Sequence, residues 1–142
     1  MAKKIQYTEA FDFAQKAHAD QEYKGAQVNE PYINHCARVA DGVSSRAKIV
    51  AILHDCLEDA GKLPDNLSKV DRQALRHLTR HKGSESYDEY IQRIIVAEGK
   101  AGDIAREVKL ADLRENLSSI CPGHFEHLRT RYTKALQVLE VL

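Results

Sequence analysis

Residues 48–59 place the strongest constraint on how this chain can fold. Their sequence is KIVAILHDCLED, with apolar side chains on nearly every side of a helix. A helix that is apolar all round has to be surrounded by other elements, so the segment predicts a central buried helix that ends at Gly61. His54 and Asp55 interrupt the apolar run, and a polar group without a partner is expensive to bury. The segment therefore predicts a helical core with a polar site inside it.

Helical periodicity extends over most of the remaining chain. Apolar residues recur at spacings of three and four, and neither a clear strand pattern nor an Asn-Gly or Asp-Gly hairpin signal occurs. Besides the central helix, the predicted helices span about 5–22, 31–43, 70–78 and 85–98, then from Asp103 to Pro122-Gly123 and from about His124 to the end. In this prediction Pro31 lies in the first turn of its helix, and Gly99 and Gly102 bracket a break. The sequence predicts an all-α fold.

Length and composition favour one compact domain that covers residues 1–142. The chain is 43% hydrophobic and has no Gly/Ser-rich or Pro-rich linker, so one core can form without disulfides. Three separated cysteines without a CxxC pair are typical of reduced thiols in the cytosol. The N-terminal segment has no apolar signal region, and no stretch approaches the length of a membrane span. We therefore expect a soluble, cytoplasmic protein.

The charge balance bears on the class of partner. The chain has 21 basic and 21 acidic residues, which are interspersed, and a formal net charge of zero. This removes the broad electrostatic case for binding extended nucleic acid or a membrane surface. A local basic pocket is still compatible with the balance, so we expect a small-molecule partner.

Four separated residues have the chemistry of metal ligands and lie in apolar helical contexts: His35, His54, Asp55 and Asp112. Their burial is explained if they converge on one cation. Two imidazoles and two carboxylates suit a divalent ion such as Mn²⁺, Fe²⁺ or Co²⁺. A lone histidine on a helix is more often a satisfied core residue, so the hypothesis depends on all four together. The set predicts a metallohydrolase.

Two further acids follow the His-Asp pair on the predicted central helix. Glu58 lies four residues after His54, and Asp59 lies four residues after Asp55, so this spacing predicts that all four face one sector. Like charges raise one another's pKa, which favours a neutralising cation between them. A polar helix end is the structural alternative. Asn116 repeats the four-residue spacing after Asp112, where it could also act only as a bridge.

The motifs PYINH at 31–35, HDxxED at 54–59 and VKLADxxxN at 108–116 resemble those of the HD-domain superfamily of metal-dependent phosphohydrolases. Within it, the chain is most similar to the hydrolase domain of RelA/SpoT-type enzymes and to the stand-alone small alarmone hydrolases. The resemblance extends from about residue 8 to the last helix, and it implies a single HD-type helical bundle.

The resemblance also implies roles for particular residues. His35, His54, Asp55 and Asp112 match the metal ligands, Glu58 and Asp59 the catalytic acidic pair, and Asn116 a substrate contact. The family uses Mn²⁺ to remove the 3′-pyrophosphate of guanosine tetra- or pentaphosphate (ppGpp or pppGpp), the alarmones of the stringent response. We favour Glu58 as the base with Asp59 holding it, although the sequence leaves these two roles open.

A polyphosphate brings several negative charges that cations must compensate. The candidate phosphate contacts are Lys24, Lys82, Lys109 and Arg114, which could also be solvated surface charges. In the loop before Pro31, Tyr23-Lys24 stands where the alarmone hydrolases have an Arg-Lys pair. Two alternatives therefore stay open: an HD-type nucleotidase or phosphodiesterase acting on another small phosphorylated substrate, and a module that binds a nucleotide without hydrolysing it. The oligomeric state is open as well.

Overall fold

A computed structural model describes residues 4–23, 30–120 and 125–141. Its helices are α1 (Tyr7–Ala17), α2 (Tyr32–Asp41), α3 (Lys48–Leu53), α4 (Cys56–Ala60), α5 (Lys69–His77), α6 (Tyr87–Val96), α7 (Gly99–Ser119) and α8 (Glu126–Glu140). A 3₁₀ turn, Ser45–Ala47, leads into α3. The predicted all-α bundle is confirmed.

One small β ladder departs from the prediction that the chain has no strand. The two-residue strands β1 (Glu22–Tyr23) and β2 (Glu30–Pro31) pair antiparallel, with Glu22 opposite Pro31. Two residues are too few to produce an alternating pattern, so periodicity could not reveal them. The ladder places Tyr23 beside the first turn of α2.

The segment predicted as the central buried helix does lie at the centre of the core. The residues of α3 from Val50 to Leu53 are fully buried, and the helix packs against α1, α2, α5 and α7. The predicted single helix is nevertheless divided, because His54 and Asp55 form a turn between α3 and α4. Gly61 ends α4 with φ of 69°, the left-handed conformation that glycine adopts without steric cost. The N–H of Asp59 nevertheless bonds the carbonyl oxygen of Asp55 at 2.9 Å, as in a helix.

The long helix α7 starts earlier than predicted. Gly99 opens it with φ of 72°, whereas Gly102 lies inside the helix and does not interrupt it. A Cβ at Gly102 would come within 2.1 Å of the carbonyl oxygen of Ala97, so this glycine permits a close backbone contact.

In the described ranges, no helix combines the length and apolar character needed to cross a bilayer.

Two other predicted helix ends are also displaced. α1 ends at Ala17, because residues 18–20 form a turn that leads into β1. Pro31 precedes α2 as its N-cap, with ψ of 136°, and is not in the first helical turn. Its extended conformation joins β2 directly to α2, which positions His35 one turn into that helix.

Candidate metal centre and adjoining cavity

The fold brings the four predicted metal ligands together from three elements. His35 comes from α2, His54 and Asp55 from the turn between α3 and α4, and Asp112 from the middle of α7. Nε2 of His35 lies 3.0 Å from Oδ1 of Asp112, and Nε2 of His54 lies 3.3 Å from the same oxygen. Asp55 Oδ2 is 3.0 Å from Nε2 of His54. His35, His54 and Asp55 each offer a ligand atom within 4.8 Å of the others, as a shared ion would require.

His54 shows that this set fits a cation. Its Nδ1 donates a hydrogen bond of 2.7 Å to the carbonyl oxygen of Ala51, which leaves Nε2 as the free ring nitrogen. Nε2 is buried close to two carboxylates, but the geometry gives it no hydrogen-bond partner among the described residues. A buried polar atom without a partner is costly, and a cation bound to Nε2 would satisfy it.

The same two carboxylates also favour a proton on this nitrogen when no cation is bound. Burial lowers the pKa of His54, but Asp55 and Asp112 outweigh that effect and raise it well above its ordinary value. Burial raises the pKa of Asp112, but Lys109 and His54 hold it well below the usual range. The pocket therefore stabilises positive charge on its imidazoles next to ionised carboxylates. Metal binding would displace those imidazole protons.

Two tyrosines, which were not singled out from the sequence, donate hydrogen bonds to Asp55 and to Asn116. The hydroxyl of Tyr32 donates to Oδ2 of Asp55, and that of Tyr23 donates to Oδ1 of Asn116 at 2.7 Å. Asn116 in turn donates through Nδ2 to Oδ1 of Asp112, at 3.2 Å. The predicted substrate contact is therefore also a bridge within the site.

Glu115 is a further residue that the sequence analysis missed. One carboxylate oxygen contacts Nδ1 of His35, and the other is bonded by Arg38. Burial raises the pKa of Glu115, but His35 and Arg38 lower it to about 2. Its position three residues after Asp112 places it on the same face of α7. That spacing was the one available signal in the sequence.

The structure separates the two predicted catalytic acids. Glu58 accepts a hydrogen bond of 3.1 Å from the backbone N–H of Arg80 and lines a cavity beside the metal-ligand cluster. Asp59 does not line that cavity, and it accepts a bond of 3.0 Å from Gln21 next to the buried ring of His18. Glu58 and Asp59 are successive residues of α4, and successive residues of a helix point about 100° apart. The expectation that both acids face one sector therefore holds for Glu58 and not for Asp59.

The cavity has a volume of about 340 Å³, within the range of small-molecule sites. His35, Asp55, Asp112, Glu58 and Asn116 line it, together with the cations Arg80, Lys82, Lys109 and Arg131 and a group of tyrosines. The lining therefore carries charges of both signs, with Lys82 beside Glu58 and Lys109 paired with Asp112. The cavity therefore brings the candidate metal ligands, Glu58 and basic side chains within reach of one bound molecule.

The four predicted phosphate contacts have different fates. Lys109 lines the cavity, is buried, and donates to Oδ2 of Asp112 at 3.0 Å. Lys82 is exposed and also lines the cavity, 3.7 Å from Glu58. Arg114 does not line it, and pairs with Glu140 at 3.4 Å on the exposed side of α7. Lys24 lies outside the described residues.

Two arginines that the sequence analysis did not consider flank one tyrosine ring of the cavity. The guanidinium carbons of Arg80 and Arg131 lie 5.6 Å and 4.8 Å from the centre of the Tyr87 ring. Nε of Arg80 and the hydroxyl of Tyr87 are buried and have no hydrogen-bond partner within the described part of the chain. Both residues line the cavity, and neither of these two atoms is paired with a described group.

The chain matches no protein-family model, no curated protein and no solved structure. The HD-domain resemblance therefore stays a prediction that rests on three motifs. What the structure adds is the geometry of the cluster and of the cavity next to it.

Proposed function

We propose that this protein is a metal-dependent phosphohydrolase that acts on a phosphorylated nucleotide. The observation that supports this most directly is the buried Nε2 of His54, which lacks a hydrogen-bond partner among the described residues and faces two carboxylates. A metal-ligand cluster alone would fit many proteins. Here it adjoins a cavity lined by four cations, which suits a substrate with several negative charges.

In this proposal His35, His54, Asp55 and Asp112 hold the ion. The mixed nitrogen and oxygen donors suit Mn²⁺, Fe²⁺ or Co²⁺, and the motif resemblance implies Mn²⁺ among them. When bound, such an ion supplies Lewis-acid stabilisation of charge at a phosphoryl group and acidifies water. Tyr32 orients Asp55, and Asn116 orients Asp112, through the hydrogen bonds between their side chains. The protein's part is to hold these ligands in place before substrate arrives.

Glu58 is the proposed general base. Its carboxylate lines the cavity and is fixed by the backbone N–H of Arg80 and by Lys82. From there it would take the proton of the water that attacks phosphorus. Asp59 bonds Gln21 away from the cavity, so we assign it a role in holding α4 against residues 18–21.

The most specific substrate that we propose is guanosine 3′,5′-bis(diphosphate), with release of pyrophosphate from the 3′ side. The motif resemblance to the alarmone hydrolases supports this choice. The cavity supports it through charge, because Arg80 and Arg131 are available to a second anionic group of the substrate. We place the activity in the cytoplasm, in keeping with the free thiols of Cys36 and Cys56.

One observation favours the alternative, an HD-type nucleotidase or phosphodiesterase with another small substrate. Tyr23 stands where the alarmone hydrolases have a basic residue, and its hydroxyl bonds the amide oxygen of Asn116. A tyrosine that faces the metal-ligand cluster supplies no charge for a phosphate. The purine site of such an enzyme would then differ from that of the alarmone hydrolases.

A nucleotide panel tests both possibilities. The purified chain is incubated with ppGpp, GDP, GMP and a cyclic dinucleotide, each with Mn²⁺ and with EDTA, and the products are separated by anion exchange. We expect Mn²⁺-dependent conversion of ppGpp to GDP and pyrophosphate. Efficient cleavage of GMP or the cyclic dinucleotide with ppGpp left intact would select the alternative. Binding of ppGpp without any product would indicate the nucleotide-binding module.

A further inference from the structure

The side chain of His35 is buried between an aromatic ring and two carboxylates. Its side chain is 1% exposed, and its ring stacks on that of Tyr23 with centres 4.6 Å apart. Nε2 points to Asp112, and Nδ1 points to Glu115. The orientation of this ligand is therefore set by two carboxylates that lie one turn apart on α7.

Glu115 is itself fixed by two more residues. Arg38, one turn after His35 on α2, donates to Oε1, and Ser119, one turn after Glu115 on α7, donates to the same oxygen at 2.8 Å. Arg38 also bonds Glu30 in β2. Because Arg38 and Ser119 occupy Oε1, Oε2 is the oxygen left to accept the proton on Nδ1 of His35.

The proton on the imidazole decides whether His35 can serve as a ligand. A histidine bound to a cation is neutral, with the ion on one ring nitrogen and the proton on the other. If the proton lies on Nδ1, the lone pair of Nε2 faces Asp112 and the cation site. A buried Nδ1–H without an acceptor would favour the other tautomer or a rotated ring.

We propose that Glu115 is a positioning residue that keeps the Nε2 lone pair of His35 directed at the metal ion, with Arg38 holding its carboxylate. This goes beyond the proposed reaction, because it concerns how tightly the ion is bound and holds for any substrate. Acceptors that bond the outer nitrogen of a metal-bound histidine typically change metal affinity or activity by about 10- to 100-fold.

A purely structural role for Glu115 is the competing explanation, since its bond to Arg38 also joins α7 to α2. Glu107 provides a matched control. It lies on α7 as well, bonds Arg46 and the backbone N–H of Ser44, and thereby joins α7 to the segment after α2. Glu107 does not line the cavity. Loss of either acid should reduce stability, but only loss of Glu115 should reduce metal affinity.

The test measures metal binding without substrate. Mn²⁺ dissociation constants are determined by electron paramagnetic resonance of the free ion for the unaltered chain, Glu115→Gln, Glu107→Gln and Arg38→Gln, with folding checked by circular dichroism. We expect Glu115→Gln to weaken binding about 10- to 100-fold. Arg38→Gln should weaken it by a smaller factor, and Glu107→Gln should stay within about twofold. The visible absorption of bound Co²⁺ should change in Glu115→Gln and not in Glu107→Gln.

Equal Mn²⁺ affinity and equal Co²⁺ spectra in Glu115→Gln and the unaltered chain would overturn the proposal. If Glu115→Gln does not fold, Arg38→Gln decides, and an unchanged dissociation constant there would also overturn it. Failure of the unaltered chain to bind Mn²⁺ would overturn both the metal site and the role of Glu115. Binding without hydrolysis of any nucleotide would overturn the proposed function and leave the role of Glu115 standing.

Discussion

The ammonium group of Lys109 donates a hydrogen bond of 3.0 Å to Oδ2 of Asp112, one turn further along α7. Both side chains are about nine-tenths buried, at 10% and 8% exposed. A buried ion pair is weak evidence of stability as a pair, but removal of one partner leaves the other charge uncompensated. Lys109 is therefore one of the cations that balance Asp112, together with the imidazoles of His35 and His54.

The first prediction concerns the stability of the metal-free protein. Lys109→Met, which keeps the length of the side chain, should lower the free energy of unfolding by about 3 kcal/mol in EDTA. Urea denaturation gives the value. Lys100→Met, at an exposed position of the same helix, should stay within about 0.5 kcal/mol. Equal effects of the two substitutions would show that Asp112 does not need Lys109.

The second prediction separates the two acids that the sequence analysis paired. Glu58→Gln should keep Mn²⁺ and lower kcat by about two orders of magnitude or more, because the proposed base is lost. Asp59→Asn should lower kcat by less than about tenfold, because Asp59 bonds Gln21 and does not line the cavity. Single-turnover rates at fixed metal occupancy measure the loss of the chemical step in Glu58→Gln and in Asp59→Asn. The reverse order would return the role of base to Asp59.

The convergence of His35, His54, Asp55 and Asp112 could be predicted because the four polar residues together interrupt apolar helical segments. A polar residue on an apolar helix stands out without knowledge of its neighbours in space. The partners of those ligands do not stand out in this way. Glu115 is 80 residues from His35, and Tyr23 is 93 residues from Asn116. The packing of α2 against α7, with β1 beside α2, brings them together.

Side-chain direction explains what else could not be predicted from the sequence. Residues 48–59 were predicted as one helix with all four polar side chains facing one sector. Glu58 and Asp59 are successive residues of α4 and point about 100° apart, so Glu58 lines the cavity and Asp59 points toward residues 18–21. Arg114 was considered because of its charge. Its neighbour across α7 is Glu140 on α8, which periodicity alone does not identify.

The third prediction concerns the metal itself. Asp55→Ala should remove both bound Mn²⁺ and hydrolysis, because it deletes one of the four proposed ligands. Elemental analysis after dialysis measures occupancy, which should be about one ion per unaltered chain. Mn²⁺ should also raise the Tm of the unaltered chain and not that of the variant. Asp12→Ala, an exposed acid of α1, is the control for the loss of one carboxylate. Full occupancy in Asp55→Ala would refute the ligand assignment.

The fourth prediction is a pH dependence of stability away from the metal site. The hydrogen bonds from Arg93 lower the pKa of Glu85 to about 2, and Arg93 also bonds the carbonyl oxygens of His77 and Thr79. Because the folded pKa lies below the ordinary value of about 4.5, this stabilisation is complete above that value and is lost as the pH falls toward 2. Glu85→Gln should therefore lower the free energy of unfolding by about 1 kcal/mol at pH 7, and by progressively less below pH 4.5.

A double-mutant cycle with Arg93→Met identifies the origin of that effect. In the Arg93→Met background, Glu85→Gln should change the free energy of unfolding by only about 0.3 kcal/mol at either pH. Urea denaturation at pH 7 and pH 3 supplies the four values at each pH. A cost of Glu85→Gln that is the same at both pH values, or that survives without Arg93, would contradict the assigned cause.

The last prediction uses the unpaired donors of the cavity. The Tyr87 hydroxyl is buried without a partner among the described residues, so Tyr87→Phe should leave the stability of the free protein unchanged or slightly higher. If that hydroxyl binds a second anionic group of the substrate, the same substitution should raise KM several-fold with little change in kcat. Arg131→Ala should raise KM further and reduce its dependence on salt, because it removes a charge. Arg114→Ala, whose side chain pairs with Glu140 outside the cavity, should leave KM within about twofold. Steady-state kinetics at two salt concentrations measure these effects. If KM is the same for Tyr87→Phe, for Arg131→Ala and for the unaltered chain, the substrate does not reach this part of the cavity.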